Sequence, residues 1–249
     1  LGDIWAMGAR PQAATASLIL PRMSSELQER TMAEIMTTAS EVFAAAGAKI
    51  IGGHSSLGDE LTIGFTVTGL TKSPITLAGA KSGDKLIITK PIGSGTIMAA
   101  EMAGKAKGAD VIACLDLMVQ DQAKASEILG KAHAMTDITG FGLAGHLRGI
   151  CDASGVGATL VLDPIPLMQG ALELSASGIR SSLFEDNRIG AGPINGAVLD
   201  LLFDPQTAGG LLAAMPARST EAALKKLNEA GYDAAVIGEI TEGSEIKTR

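Results

Sequence analysis

A mixed α/β (α+β) fold with two domains is predicted by three features of the sequence. Stretches with strand periodicity alternate along the chain with stretches of helix periodicity, as in mixed α/β proteins. The stretch Thr71–Ala80, with Pro74 and Gly79, interrupts this alternation and is the best candidate linker. A chain of 249 residues is long enough to bury one large core or two modest ones. We therefore place one domain at residues 1–75 and a second at residues 80–249.

The composition excludes several classes of protein. Hydrophobic residues make up 46% and charged residues 19% of the chain, values typical of a folded soluble domain. The formal net charge of −7 argues against nucleic acid as a partner, because nucleic-acid binding normally requires a basic surface. No apolar run reaches the ~20 residues of a membrane helix, and no signal peptide is recognisable. We therefore expect a cytoplasmic protein without a membrane partner.

The two cysteines indicate a reducing environment. Cys114 and Cys151 lie in apolar helical segments, and their spacing is not that of a metal site. They are interpreted as buried thiols rather than as a disulfide.

The first domain is predicted to combine strands with one long helix. Ala14–Leu20 is a short apolar run typical of a buried strand. Ser24 or Ser25 is a suitable N-cap for a helix whose apolar residues recur at three- and four-residue spacing, and Gly47 is its C-cap. Ala48–Ile51 is interpreted as the next strand.

Residues 61–69 give the clearest strand signal in the chain. Apolar side chains alternate with threonine or glycine, so one face of the strand is apolar and the other is rich in threonine. A strand of this kind, at the edge of a sheet, can pair with a second subunit. The sequence therefore predicts a dimer-forming sheet.

The second domain continues the alternation of strands and helices. Its predicted strands are Leu86–Thr89, Val156–Leu162, Leu211–Ala214 and, as the last one, Ala234–Ile237. One predicted helix follows the turn at Gly93-Ser94-Gly95 and ends at Met102. The others span Val111–Leu129, Phe141–Ala153 and Glu221–Ala230.

Two aspartates are candidate magnesium ligands. Asp137 ends a short apolar stretch and is followed by glycines that open a helix, while Asp3 stands at the start of another predicted helix. Each can equally be an ordinary helix N-cap. Magnesium commonly takes one or two protein carboxylates together with phosphate oxygens and water. The pair therefore suffices for a metal site if folding brings the two residues together.

Further segments have both a structural and a ligand-binding interpretation. Gly52-Gly53-His54 is either a tight connection between strands or a place where the backbone approaches a nucleotide. Gly93-Ser94-Gly95 is interpreted mainly as a strand-to-helix turn and only weakly as an anion cradle. Asp204–Gly210 is either a turn or part of a ligand cleft. His133 and His146 lack a third ligand at metal spacing, so they are interpreted as histidines on a helix surface or satisfied in the core.

Taken together, five segments resemble the selenophosphate synthetase (selenide, water dikinase) family. They occur in the family's order and extend over nearly the whole chain. The Thr-Asp-Ile-Thr-Gly-Phe-Gly and Asp-Pro-Gln-Thr motifs are specific as a pair. The segments are Gly2–Gly8, Ile51–Ser55, Thr89–Gly95, Met135–Leu147 and Phe203–Leu212.

The resemblance implies a fold, a reaction and a set of ligands. The family makes selenophosphate from selenide, ATP and water, and releases AMP and phosphate. Its aminoimidazole ribonucleotide synthetase-like fold forms a homodimer through the N-terminal domain. By resemblance, Asp3 would bind magnesium and ATP, Asp137 would be a second magnesium ligand, and Gly52, Gly53 and His54 would contact the nucleotide. A potassium requirement and downstream selenium-using enzymes are implied as well.

The chain departs from the family at its start. In the family, the nucleophilic cysteine or selenocysteine, a nearby lysine and another metal-binding aspartate precede the position of Asp3. Residues Leu1–Trp5 already read like the middle of a domain. Neither Cys114 nor Cys151 occupies a matching motif. We therefore expect an incomplete N-terminal domain, no catalytic nucleophile within the chain, and an inactive isolated fragment.

Two alternatives stay open. Related folds serve purine synthesis, thiamine phosphate phosphorylation and hydrogenase maturation, and a fold alone does not separate these reactions. A non-catalytic nucleotide-binding and dimerisation module is the second alternative. The paired motifs favour selenophosphate synthesis.

Overall fold

The computed structural model describes every residue from Leu1 to Arg249 and divides the chain into two units. The first unit comprises Leu1, Asp3–Trp5 and Ala9–Ser73, and the second comprises Gly2, Ala6–Gly8 and Pro74–Arg249. Both units mix helices with strands, as predicted. No helix in the chain combines the length and the apolar character needed to cross a membrane.

A three-stranded sheet and a long helix form most of the first unit. The strand order is β2-β1-β3, with β1 parallel to β2 and antiparallel to β3. The amino-terminal elements are α1 (Gly2–Ala6), β1 (Arg10–Pro21), α2 (Ser25–Ala45), β2 (Lys49–Gly58) and β3 (Thr62–Leu70).

Helix α2 begins and ends where its caps predicted. The Ser24 hydroxyl accepts a hydrogen bond from the Leu27 amide, which satisfies one of the free N–H groups of the first turn. Gly47 follows the helix with a φ of +80°, a conformation that favours glycine. Phe43 is the buried residue of the helix, and its ring meets that of Phe65 edge to face, with 5.3 Å between the centroids.

The alternation predicted for β3 is confirmed from Phe65 to Thr68, whereas Leu61 and Ile63 are exposed. Phe65 and Val67 pack against the small hydrophobic cluster beneath α2. Thr66 and Thr68 are exposed, as is Ser17 on the neighbouring β1. Around Phe65 and Val67 the sheet therefore has an apolar face that packs against α2 and a polar face opposite it.

Gly52, Gly53 and His54 lie inside β2, so the predicted connection between two strands is wrong. The ladder between β1 and β2 contains a register shift and then continues to the end of β2. The register shift is a β-bulge, which lets β2 continue through the two glycines instead of ending at them. A β-carbon at Gly53 would lie 2.2 Å from the Ala16 carbonyl oxygen, whereas Gly52 has open space around it.

Seven strands form the sheet of the second unit, in the order β5-β8-β4-β9-β6-β10-β7. The strands are β4 (Lys85–Ile88), β5 (Ala134–Asp137), β6 (Gly157–Leu160), β7 (Ile194–Asn195), β8 (Leu211–Met215), β9 (Ala235–Thr241) and β10 (Ile246–Thr248). The α-helices are α3 (Ser94–Met102), α4 (Gly108–Val119), α5 (Ala123–Ile128), α6 (Gly142–Ser154), α7 (Ala171–Ala176), α8 (Phe184–Gly190) and α9 (Ala217–Glu229), and Asp200–Phe203 is a 3-10 helix. Successive residues Ile87 and Ile88 of β4 belong to different hydrophobic clusters, so the sheet is covered on both faces.

Two predicted elements of this unit need correction. The helix predicted over Val111–Leu129 is two helices, α4 and α5. Between them, the buried Gln122 side chain accepts a hydrogen bond from the Thr89 hydroxyl at 2.5 Å, and the Asp121 carboxylate accepts one from the Ala123 amide at 3.0 Å. These bonds stabilise a break that the apolar pattern did not indicate. The strand predicted as the last one is followed by the short β10, which pairs with β6 and β7.

The turn at Gly93-Ser94-Gly95 is closed by side chains from a remote segment. The Gln206 amide oxygen accepts hydrogen bonds from the Gly93 and Ser94 amides at 2.9 and 3.2 Å. The Asp204 carboxylate accepts one from the Gly95 amide at 3.0 Å. Because the first N–H groups of a helix need acceptors, these two side chains cap α3.

This cap favours the structural interpretation of Gly93-Ser94-Gly95 over an anion cradle, and it gives Asp204 and Gln206 a structural role. Asp204 and Gln206 are buried, with 2% and 4% of their surface exposed, and their polar atoms are used within the fold. Burial raises the pKa of the Asp204 carboxyl, while hydrogen bonds from Thr96, Gln206 and Gly95 oppose that rise. The strand-to-helix turn is confirmed, and its amides face protein acceptors rather than an anion.

Gly53→Ala is expected to lower the free energy of unfolding by about 2 kcal/mol, because the new methyl group would collide with the Ala16 carbonyl oxygen. Gly52→Ala is the matched control on the same strand and should change stability by less than about 1 kcal/mol. Urea denaturation of the two variants measures the difference. Equal losses would show that the close approach of β1 and β2 does not constrain position 53.

Candidate functional site

Three strands of the second unit bring Asp137 and Lys90 to the same edge of the sheet. Strands β4 and β5 both pair antiparallel with β8, which lies between them, and both end where β8 begins. Asp137 is the last residue of β5 and pairs with Leu211, while Lys90 follows the end of β4. Because neighbouring strands are ~4.8 Å apart, the two backbone positions are separated by about 10 Å.

The loop that leads into β8 is held tightly between these strands. The Ile138 amide donates to the Gly210 carbonyl oxygen at 2.8 Å. A β-carbon on Gly209 would lie 2.2 Å from the Ile138 carbonyl oxygen, and one on Gly210 would lie 2.5 Å from the backbone nitrogen of Lys90. Only glycine permits such a close approach of three backbones.

The residues after Asp137 are fixed by His146 of α6. The Thr139 amide donates to His146 Nε2 at 2.9 Å, which requires that this ring nitrogen carries no proton. Burial lowers the pKa of His146 and so favours the neutral ring. His146 is therefore a core histidine, as predicted, and it positions the turn that follows Asp137.

Gly2 lies beside the Asp137 carboxylate in the same unit. A β-carbon on Gly2 would be 2.5 Å from Asp137 Oδ2, so the Gly2 backbone approaches the carboxylate more closely than any other residue would allow. Asp3, the next residue in the chain, is an exposed acidic residue in the first turn of α1 and belongs to the first unit.

The donor chemistry at this edge fits magnesium. The chain contains no cluster of three or more His, Cys, Asp or Glu side chains that could hold a metal ion. Magnesium does not need one, because phosphate oxygens and water complete its coordination. The acidic side chain at this position is the half-buried carboxylate of Asp137, and the nearby His146 is engaged with Thr139. A hard cation therefore suits the site better than zinc does.

Lys90 is a feature of this edge that the sequence patterns did not single out. Its side chain is only 2% exposed, and its Nζ donates to the Ala208 carbonyl oxygen at 3.0 Å. Burial lowers the pKa of Lys90 to about 8, and the negative charge of Asp121 partly opposes this shift. The sequence signals were its position at the end of an apolar strand and its place in the family-like segment Thr89–Gly95, and neither indicated a role for the side chain.

The other predicted site residues lie elsewhere in the fold. Gly52, Gly53 and His54 belong to β2 of the first unit, where His54 is exposed and pairs with Ser17 of β1. His133 lies just before β5 rather than on a helix, and its Nδ1 is 2.8 Å from Asp84 Oδ2. It is therefore satisfied within the fold, as expected of a histidine that is not a ligand.

Both cysteines are free and buried, as predicted. Burial raises the pKa of the Cys151 thiol to about 11 and also raises the pKa of Cys114. Because the thiolate is the reactive form, neither side chain is suited to be a nucleophile.

Known proteins match this chain along almost its entire length. Residues 1–71 match the family model described as AIR synthase related protein, N-terminal domain, and residues 81–249 match the corresponding C-terminal domain. A selenide, water dikinase from Myxococcus xanthus is 38% identical over 256 residues, which cover 98% of this chain and 72% of that protein. A selenide, water dikinase from Trichlorobacter lovleyi is 36% identical over 258 residues, covering 99% of this chain and 73% of that protein.

Solved structures of lower identity share the fold. The hydrogenase maturation protein HypE superposes with a TM-score of 0.76 at 22% identity, covering 99% of this chain and 73% of that one. Thiamine-monophosphate kinase from Stenotrophomonas maltophilia also reaches a TM-score of 0.76 at 22% identity, covering 99% and 74% of the two chains. With both of its domain models matched and relatives above 30% identity, the chain belongs to the AIR synthase-related family.

Proposed function

We propose that this chain is part of a selenide, water dikinase, which makes selenophosphate from selenide, ATP and water and releases AMP and phosphate. The observation that carries the proposal is the position of the Asp137 carboxylate at the end of β5, where the Gly2 backbone packs closely against it. The similarity to selenide, water dikinases over 98% of the chain supports the choice of reaction within the family.

In this proposal two aspartates hold magnesium, and the surrounding fold keeps the reacting groups in position. Bound magnesium would offset the negative charge that develops on the phosphates as a phosphoryl group is transferred. Asp137 and Asp3 would be the protein ligands. The hydrogen bond from Thr139 to His146 would keep the Asp137 turn in one conformation, which favours catalysis that depends on positioning.

The nucleotide contacts are proposed for the first unit. Gly52, Gly53 and His54 lie on β2, and His54 is exposed, so its ring can donate a hydrogen bond to a nucleotide oxygen. Gly53 already has a structural reason to be glycine, since it lies against Ala16. Gly52 has no steric requirement and fits better with a role in contacting a ligand.

A nucleophile would come from outside residues 1–249. Cys114 and Cys151 are the only cysteines, and both are buried with raised pKa values. We therefore expect residues 1–249 alone to bind magnesium nucleotide without forming selenophosphate.

The reaction itself distinguishes this proposal from its alternatives. We expect the polypeptide, as its gene encodes it, to convert ATP and selenide in the presence of magnesium into AMP and a phosphorus NMR signal coupled to selenium. Formation of ADP alone would favour the reactions of the purine, thiamine phosphate or hydrogenase-maturation relatives. Nucleotide binding without consumption of ATP would favour a non-catalytic binding module.

Asp137→Asn is expected to weaken binding of magnesium–ATP to residues 1–249 by about tenfold or more, because the amide lacks the charge that holds the cation. Asp152→Asn is a matched control, since Asp152 is exposed in the last turn of α6. Isothermal titration calorimetry measures both affinities. If Asp137→Asn bound as tightly as the unchanged chain, Asp137 would not be part of the site.

We also propose that the sheet of the first unit forms a homodimer. The outer strands β2 and β3 each have one strand partner within the chain, so each presents a row of unpaired backbone groups. Ile51 of β2 and Ile63 of β3 are 71% and 49% exposed, which is unusual for isoleucine on a sheet. A second copy of the chain would cover both features.

Sedimentation equilibrium at micromolar concentration is expected to show a dimer that Ile51→Lys dissociates, because the substitution places a charge on the proposed interface. Ile112→Lys serves as the control, since Ile112 on α4 is also 63% exposed but lies in the second unit. A monomer for the unchanged chain, or equal dissociation by both substitutions, would exclude this interface.

A further inference from the structure

Lys90 carries a charge that its contacts within the chain do not balance. Its side chain is 2% exposed and its Nζ makes one hydrogen bond, to the Ala208 carbonyl oxygen. The ammonium group has three N–H donors, so two of them have no protein acceptor. No carboxylate forms an ion pair with Lys90. A buried cation in this state is normally paired or serves a ligand.

Burial of this ammonium is unfavourable for the folded protein. Desolvation lowers the pKa of Lys90 to about 8, and Asp121 is the charged group that partly opposes the shift. At neutral pH the side chain still carries its proton. The fold therefore retains a positive charge at a position where an apolar side chain of similar length would be more stable.

Lys90 lies close enough to Asp137 for its positive charge to act on the same ligand. The two residues lie at one edge of the sheet, on either side of β8, and their backbones are about 10 Å apart. This spacing brings a carboxylate, which can bind a cation, and an ammonium, which can bind an anion, to the same end of the sheet. A polyphosphate chelating magnesium needs both kinds of partner.

The loop that covers Lys90 has exposed residues directly above the ammonium. Thr207 and Ala208 at its tip are exposed, although Lys90 itself is not. Ala208 is the one non-glycine residue with positive φ, at +49°, and this strained conformation accompanies the hydrogen bond of its carbonyl oxygen to Lys90. The ammonium therefore lies directly beneath an exposed bend of the backbone.

We infer that the Lys90 ammonium is a phosphate-binding group, which donates hydrogen bonds to the polyphosphate of the magnesium nucleotide held by Asp137 across β8. The inference rests on the proposed function, because it assumes that Asp137 binds the cation of that nucleotide. Lysine suits this role as a compact point charge with several donors. The other donors of Lys90 then find acceptors that the protein does not supply.

Binding of the magnesium complex of AMPPNP, an ATP analogue that resists hydrolysis, tests the inference. Lys90→Met keeps the length and packing of the side chain and removes its charge, so we expect calorimetry to show an affinity about tenfold lower than that of the unchanged chain. Lys85→Met is the matched control at the other end of β4, where Lys85 pairs with Glu239 at 2.5 Å. Its affinity should stay unchanged.

The pH dependence separates a ligand contact from a structural role. An anion prefers the protonated amine, so affinity should fall as pH rises through about 8, the pKa of Lys90. Lys90→Met keeps every other titrating group, and its affinity should lack this fall. If Lys90→Met does not fold, Lys90→Gln replaces it, because the amide can still donate to the Ala208 carbonyl oxygen without carrying a charge.

The outcomes distinguish this inference from the proposed function. Equal affinity for Lys90→Met and the unchanged chain, with weaker binding by Asp137→Asn, would overturn the role of Lys90 and leave the magnesium site intact. An unchanged chain that does not bind the magnesium analogue at all would overturn both. A pH profile that is the same with and without Lys90 would also exclude it as a phosphate-binding group.

Discussion

The candidate site depends on the close approach of three backbones at the edge of the second sheet. Gly209 and Gly210 lie so near to Ile138 and Lys90 that a β-carbon at either glycine would overlap neighbouring atoms. This packing joins the ends of β5 and β4 through the start of β8. As a result, the carboxylate lies at the last residue of β5 and the ammonium two residues after β4, and positions anchored to strands in this way suit precise ligand positioning.

Around this edge, buried polar groups keep the loops in place. Gln206 and Asp204 cap α3, while His146 accepts from Thr139. Each of these bonds satisfies a backbone donor that would otherwise be costly to bury. The polar residues of the motifs therefore divide into two groups. Asp204, Gln206 and His146 maintain the fold, whereas Asp137 and Lys90 are the residues for which we propose contacts with a ligand.

Much of the fold followed from patterns between near neighbours in the sequence. The Ser24 cap, the Gly47 stop and the alternation in β3 depend on residues a few positions apart, and all three were predicted correctly. The break between α4 and α5 depends instead on the hydrogen bond from Thr89 to Gln122, whose partners are remote in the chain. The continuation of β2 through Gly52 and Gly53 likewise depends on pairing with β1. Local patterns contain no information on such partners.

The site was predicted in part for the same reason. The position of Asp137 at a strand end could be inferred from the apolar stretch and the glycines that follow it, whereas its convergence with Asp3 stays a prediction. Lys90 was missed because a single lysine after an apolar strand usually marks the exposed end of that strand. Its burial follows from the loop at residues 206–210, which covers it only in the folded chain.

The burial of both native cysteines has a practical consequence for studying the loop above Lys90. Since Cys114 and Cys151 are inaccessible and have raised pKa values, maleimide dyes should leave them unmodified in the folded chain. A cysteine placed at the exposed Thr207 would then be the single labelled position, without prior removal of native thiols. A fluorophore or spin label there would report directly on movement of the backbone that covers the ammonium.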